Sequence, residues 1–89
     1  MLRITRVEGN GGPVTLRLEG KVSDQWAKLL EGECRSLLRD GKDVSLDFSD
    51  VSFVDAVGVG MVRDLPRQQV RIVNAPRFIE ELLKGGGGQ

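Results

Sequence analysis

The residues that could do chemistry in this chain gather in one short stretch, FVDAVGVG at 53–60. Asp55 stands at the end of an alternating strand pattern, and Gly58 and Gly60 follow where a helix should begin. An acid in that position can accept a hydrogen bond from a free amide of the first helical turn. A helix N-terminus can also bind an anion, so capping and anion binding both remain open. The lysine and glycine frame of a phosphate-binding loop is missing, which disfavours a nucleotide site of that kind.

Catalytic side chains are otherwise scarce. The chain of 89 residues has no histidine and no tyrosine, and Cys34 is its single cysteine. Histidine is the commonest general base and a common transition-metal ligand, so acid–base catalysis and a zinc site are both disfavoured. Cys34 lies on an apolar helical stripe, where we expect an inert buried thiol. We therefore predict that the protein is not an enzyme and uses no cofactor and no metal.

The charge and hydropathy of the chain exclude further classes of function. Its 13 basic and 13 acidic residues cancel, which does not resemble the basic surface of a nucleic-acid-binding protein. No apolar run approaches the ~18 residues of a membrane span. The N-terminus has no long apolar segment, so we expect no signal peptide, and a lone cysteine fits a reducing compartment. These features predict a cytoplasmic protein that neither binds nucleic acid nor inserts directly into a membrane.

The elements that must position the 53–60 stretch follow from hydrophobic periodicity. Alternation predicts strands at 2–7, 14–19, 44–48 and 70–73, and helical spacing predicts helices at 24–39, 56–65 and from Pro76 onward. The order β-β-α-β-α-β-α predicts an α/β fold, a small mixed β-sheet with helices packed largely on one face. If the strands at 44–48 and 70–73 are neighbours, they should be parallel. We expect one domain over 1–84 and a flexible glycine-rich tail at 85–89.

The helix at 56–65 has one buried stripe. On a helical wheel Gly58, Met61, Val62 and Leu65 share an arc of about 100°. Gly58 should therefore face the sheet, where the lack of a Cβ atom permits close approach. Val59 should point outward, and with Val57 and Gly60 it should form a docking surface for a partner, together with a loop at 49–55. The predicted partner-binding residues are Ser52, Asp55, Val57, Val59, Gly60 and Arg63.

The run VSLDFSDVSFVDAVGVGMV at 44–62 resembles the signature of STAS domains, typified by bacterial anti-sigma-factor antagonists. In that signature a strand ending in Leu-Asp-Phe leads to a Phe-x-Asp-Ser-x-Gly-x-Gly turn. The segments 14–22 and 74–83 resemble the second strand and the last helix of the same family. The resemblance implies a STAS-like fold and a signalling module in transcription regulation, which docks on a kinase-type anti-sigma factor.

One position departs from the signature in a way that bears on regulation. Ala56 occupies the place of the phosphorylatable serine, and alanine has no hydroxyl group. The resemblance therefore implies an antagonist without the usual phosphoserine switch. The alternative is a STAS accessory subunit of an ABC-type lipid-transport complex, with a transporter ATPase as its partner. The sequence leaves open the identity of the partner, a modification of Ser49 or Ser52, and the oligomeric state.

Overall fold

The computed structural model describes residues 1–9 and 11–84 of the chain. Its elements, in chain order, are β1 (Leu2–Glu8), β2 (Val14–Val22), α1 (Asp24–Arg39), β3 (Val44–Val54), α2 (Ala56–Asp64), β4 (Val70–Val73) and α3 (Arg77–Lys84). The predicted α/β class and element order are confirmed. The predicted flexible tail at 85–89 lies outside the described residues.

The four described strands form one mixed sheet in the order β1-β2-β3-β4. β1 runs antiparallel to β2, whereas β2 and β3, and β3 and β4, are parallel. The parallel pairing predicted for the third and fourth strands is therefore confirmed. Val22 and Val54 pair at the ends of β2 and β3, so the carboxyl ends of these two strands meet at one end of the sheet. The helices α1 and α2 both start from this end.

β3 is longer than the sequence predicts. The sequence predicts a strand that ends at Phe48 and a loop at 49–55. In the structure the alternation of buried and exposed residues does break there, at Ser49 and Asp50, which are both exposed. The strand instead continues to Val54, because irregular register along β2 absorbs the break. Irregularities of this kind locally reverse which face a side chain occupies without ending the strand. The prediction of a loop at 49–55 is therefore wrong.

The core lies between the sheet and the helices, which cover one face of the sheet as predicted. Alternate residues of β2 and β3 are fully buried beneath the helices; among them are Leu16, Leu18, Leu46 and Phe48. Polar residues such as Thr15 and Arg17 occupy the intervening positions of β2. The helices contribute Ala27, Leu30, Cys34, Leu37, Met61, Val62 and Ile79 to the same core.

Some large apolar residues of α1 and α3 are not buried. Leu29 on α1 is half-exposed, and so are Phe78 and Leu82 on α3. Trp26 is half-buried and packs against the core. Among the described residues, the helices are too short or too polar for any of them to span a bilayer.

Candidate partner-docking surface

The 53–60 stretch carries the chain from the end of β3 into the first turns of α2. Val54 is the last residue of β3 and Ala56 the first residue of α2. Val54 pairs with Val22, the last residue of β2, and α1 begins shortly after at Asp24. The N-termini of α1 and α2 are therefore brought together at one end of the sheet.

Asp55 joins these two helix N-termini through a single carboxylate. Its Oδ1 atom accepts a hydrogen bond from the Gly58 amide at 2.7 Å, and its Oδ2 atom accepts one from the Asp24 amide at 3.1 Å. The Asp55 amide itself donates to the Val22 carbonyl oxygen at 3.2 Å. Ser23 occupies the N-cap position of α1 but forms no side-chain cap hydrogen bond. The Asp55 side chain supplies that bond to α1 in its place.

Gly58 permits the close approach of α2 to the sheet. A Cβ atom at this position would lie 2.5 Å from the Val22 carbonyl oxygen and 2.8 Å from Cγ1 of Val54. Gly58 is buried, whereas Gly60 is exposed and an added Cβ atom there would meet nothing within 4 Å. Only the first of these two glycines is therefore required by packing.

Two apolar side chains are exposed on either side of this turn. Phe53 is 47% exposed at the end of β3, and Val57 is 45% exposed in the first turn of α2. Ala56 is exposed between them in sequence, and so is Gly60 one turn further along the helix. We call the exposed residues Ser52, Phe53, Ala56, Val57 and Gly60 the tip surface. The Ser52 hydroxyl donates to the Gly20 carbonyl oxygen at 3.2 Å.

Phe53 belongs to the tip surface although the predicted partner-binding set omits it. It is opposite Lys21 in the register between β2 and β3. A strict alternation from the buried Val51 would also bury Phe53, but the irregular end of β3 leaves it exposed. The position of Phe53 opposite the exposed Lys21 could have indicated that Phe53 is exposed. That pairing depends on the irregular register of β2, which the sequence alone does not reveal.

Three predicted partner-binding residues do not belong to the tip surface. Asp55 is half-buried, and its carboxylate is occupied by the Asp24 and Gly58 amides. Val59 is half-buried and packs against the core, so the prediction that it points outward is wrong. The helical wheel assumed that α2 packs only against the sheet. In the structure α2 also packs against α1 and α3, so a larger part of its surface is covered. Arg63 is exposed but lies in the last turn of α2, at the opposite end of the helix from Ala56.

The single thiol of the chain is unsuited to nucleophilic chemistry. Cys34 is fully buried on α1, and burial raises the pKa of its thiol from 9.0 to about 12. The reactive thiolate form is therefore suppressed at neutral pH. Within residues 1–9 and 11–84, no three metal-ligating side chains form a cluster that could hold a metal ion.

Comparison with known proteins assigns the chain to a family. The family model described as "Mlab, STAS domain" matches residues 5–87. The chain therefore belongs to this STAS family, and the resemblance found in the 44–62 run is confirmed. A comparison with curated proteins gives no significant match.

Two solved structures share the fold. The anti-sigma factor antagonist SpoIIAA in its unphosphorylated form superimposes with a TM-score of 0.76 at 17% identity, covering 94% of this chain and 84% of that one. An anti-sigma factor antagonist from Mycobacterium paratuberculosis gives a TM-score of 0.71 at 18% identity, covering 94% and 79%. At such low identities the similarity establishes the fold alone.

Proposed function

We propose that this STAS protein is a non-enzymatic docking module that binds an anti-sigma factor through the tip surface. The observation that supports the proposal best is the exposure of Phe53 and Val57 next to Ala56. These residues lie in the turn that the sequence shares with the STAS signature, within a fold that anti-sigma factor antagonists also have. Exposed aromatic and aliphatic side chains provide the apolar centre of many protein interfaces.

The tip surface also has a stable geometry before any partner arrives. The carboxylate of Asp55 is hydrogen-bonded to the starts of both helices, and Gly58 packs directly against the Val22 carbonyl oxygen and the Val54 side chain. Val57 therefore projects from a fixed first turn rather than from a loop. A preorganised surface loses less conformational entropy on binding, which favours affinity.

The proposed module acts without a phosphoserine switch. Ala56 is exposed at the tip but has no hydroxyl group that a kinase could modify. A phosphate at this position would add nearly two negative charges beside Phe53 and Val57, and would disfavour an apolar contact there. With alanine the surface keeps its apolar character permanently. We infer that partner binding is governed by the amounts of the two proteins rather than by phosphorylation at position 56.

The docking surface is tested with a pair of matched charge substitutions. Val57→Asp places a carboxylate within the tip surface. Val7→Asp makes the same change at a residue that is 52% exposed on β1, near the start of β2 and away from the tip. A buried unpaired charge is strongly disfavoured, so Val57→Asp should weaken binding of the anti-sigma factor from the same genome about tenfold or more. Val7→Asp should leave the dissociation constant unchanged.

Titration calorimetry against the purified anti-sigma factor measures both constants, and circular-dichroism melts establish that each variant is folded. Equal affinities for the parent and Val57→Asp, with equal melts, would place the docking surface elsewhere. Binding to a transporter ATPase and not to an anti-sigma factor would reject the partner class. That outcome would favour the lipid-transport alternative.

The loss of the switch has its own test. The parent and Ala56→Ser are incubated with the kinase-type anti-sigma factor and ATP, and phosphate is mapped by mass spectrometry. We expect no phosphate on the parent and phosphate at position 56 of the variant. Stoichiometric phosphate on Ser49 or Ser52 of the parent would show that a displaced switch exists.

A further inference from the structure

A groove runs between the C-terminal part of α2 and α3, over the edge strand β4. A cavity of about 250 Å³ forms one part of it, and a neighbouring cavity of about 290 Å³ that shares Arg67, Ile72 and Leu83 forms the other. The apolar side chains lining the first part are Val62, Leu65, Val70, Ile72 and Leu83. Both cavities open to solvent. The chain therefore presents an apolar trough at the sheet edge farthest from β1.

The rim of this groove is basic. Arg63 and Arg67 line the first cavity, and Arg67 and Lys84 line the second. Glu80 also lines the second cavity, so cations outnumber acids around the groove. Among the described residues, no carboxylate oxygen lies within 4.0 Å of the charged nitrogens of Arg63, Arg67 or Lys84, and Glu80 forms no ion pair with them.

This arrangement differs from that of four arginines elsewhere on the surface, although Arg39, Arg71 and Arg77 also form no ion pair among the described residues. Arg3, Arg6, Arg17 and Arg35 each pair with an acidic side chain of the same chain. An acidic neighbour cancels much of the positive electrostatic potential around a surface cation. The unpaired cations of the groove retain their positive potential and can attract an anionic partner. We call the apolar trough and its rim of Arg63, Arg67 and Lys84 the basic groove.

We propose that the basic groove is a second docking site and that it binds an acidic amphipathic helix of a protein partner. An amphipathic helix places apolar residues at i, i+3, i+4 and i+7 on one face, which suits a trough between two helices. Acidic residues flanking that face would meet the cations of the rim. A small molecule is a poorer occupant, because ligand pockets enclose most of the ligand surface and this groove is open. Nucleic acid is disfavoured by the apolar floor.

The basic groove is separate from the tip surface. Ala56 begins α2 and Arg63 lies in its last turn, so about 10 Å of helix axis lies between the two surfaces. The proposal therefore goes beyond the docking function proposed above and does not depend on it. A single partner could occupy both surfaces, but a substitution in one leaves the residues of the other in place.

The test uses the full chain and a synthetic peptide as the probe. The peptide is a labelled helix of about four turns, with leucines at i, i+3, i+4 and i+7 and glutamates at its flanks. A second peptide carries lysine in place of every glutamate. Fluorescence anisotropy measures their dissociation constants for the parent, for Arg67→Glu and for Arg3→Glu. Arg3 is the matched control, because it is an exposed arginine on β1 at the opposite edge of the sheet.

We expect the acidic peptide to bind the parent and the basic peptide not to bind. Reversing the charge at Arg67 should weaken binding of the acidic peptide about tenfold, and Arg3→Glu should leave it unchanged. Leu83→Ala removes part of the apolar floor and should also weaken binding. The methyl signals of Ile72 and Leu83 should shift in the NMR spectrum on titration. Val57→Asp should bind the peptide like the parent, which separates this test from that of the tip surface.

Several results would overturn the proposal. Equal affinity for the acidic and basic peptides would exclude recognition by charge. Equal weakening by Arg67→Glu and Arg3→Glu would show that only the net charge of the chain matters. Binding of anionic phosphatidylglycerol vesicles through Arg67, without peptide binding, would identify a membrane surface as the occupant. Concentration-dependent dimerisation that Arg67→Glu abolishes would identify a second copy of this chain instead.

Discussion

The contact between Gly58 and the sheet predicts a large difference between two alanine substitutions in the same helix. Gly58→Ala places a Cβ atom 2.5 Å from the Val22 carbonyl oxygen and 2.8 Å from Cγ1 of Val54. Gly60→Ala places the same atom where nothing lies within 4 Å. The first variant should therefore force α2 away from the sheet, and the second should be accommodated without movement.

The magnitude follows from comparing the two variants. Replacing glycine by alanine inside a helix stabilises it by about 1 kcal/mol, and this gain cancels when the two variants are compared. The remaining difference is the cost of overpacking, which is typically about 1–3 kcal/mol. We expect the upper part of that range, about 2–3 kcal/mol, because the obstructing atom is a strand carbonyl oxygen that cannot rotate away. Gly60→Ala should itself be about 1 kcal/mol more stable than the parent.

Urea denaturation and thermal melts followed by circular dichroism measure the free energies of unfolding. For a domain of this size the expected difference corresponds to about 10–20 °C in melting temperature. Equal stability of Gly58→Ala and Gly60→Ala would refute the reasoning. It would mean that α2 does not approach the ends of β2 and β3 as closely as the structure shows.

Three further predictions concern individual side chains. Asp55→Asn keeps only one acceptor oxygen for two amides, so it should lower the free energy of unfolding by about 1 kcal/mol in urea titrations, and Asp55→Ala should lower it further. Burial raises the pKa of the Cys34 thiol from 9.0 to about 12, so between these pH values the unfolded chain loses the thiol proton while the folded protein keeps it. The free energy of unfolding should therefore fall as pH rises through this range. Cys34→Ala should lack this decline in alkaline denaturation curves. The Ser49 amide donates to Asp47 and lowers the pKa of its carboxyl below 3.8, so the stability from this bond should be present above pH 3.8 and disappear below it. Asp47→Asn should therefore be less sensitive to acid than the parent over that range.

Much of the fold was predictable because its elements have regular hydrophobic periods. Val14, Leu16 and Leu18 alternate along β2, and all three are buried in the structure. Several connections between elements contain glycine or proline, and Pro66 follows closely after the end of α2. Local sequence therefore determined the number, order and type of the elements.

The errors arose where tertiary contacts override a local period. The break at Ser49 and Asp50 resembles a turn in the sequence, but pairing with an irregular β2 keeps this segment in the strand. The helical wheel directs Val59 away from the buried stripe of α2, but packing against the core half-covers it. The bond between Asp55 and the Asp24 amide joins residues far apart in the chain, so no local pattern could reveal it.

Because the Asp55 carboxylate accepts hydrogen bonds from the N-terminal turns of both α1 and α2, the stabilities of these two turns are coupled. If Asp55 swings away, the amides of Asp24 and Gly58 lose their acceptor together. The two turns therefore form one unit of local opening, and their amide protons should exchange with solvent in a correlated way. A partner that binds the start of α2 and displaces the Asp55 side chain also removes the hydrogen bond that Asp55 accepts at the start of α1. Binding at the tip surface would therefore change the local stability of α1, although the partner does not contact α1.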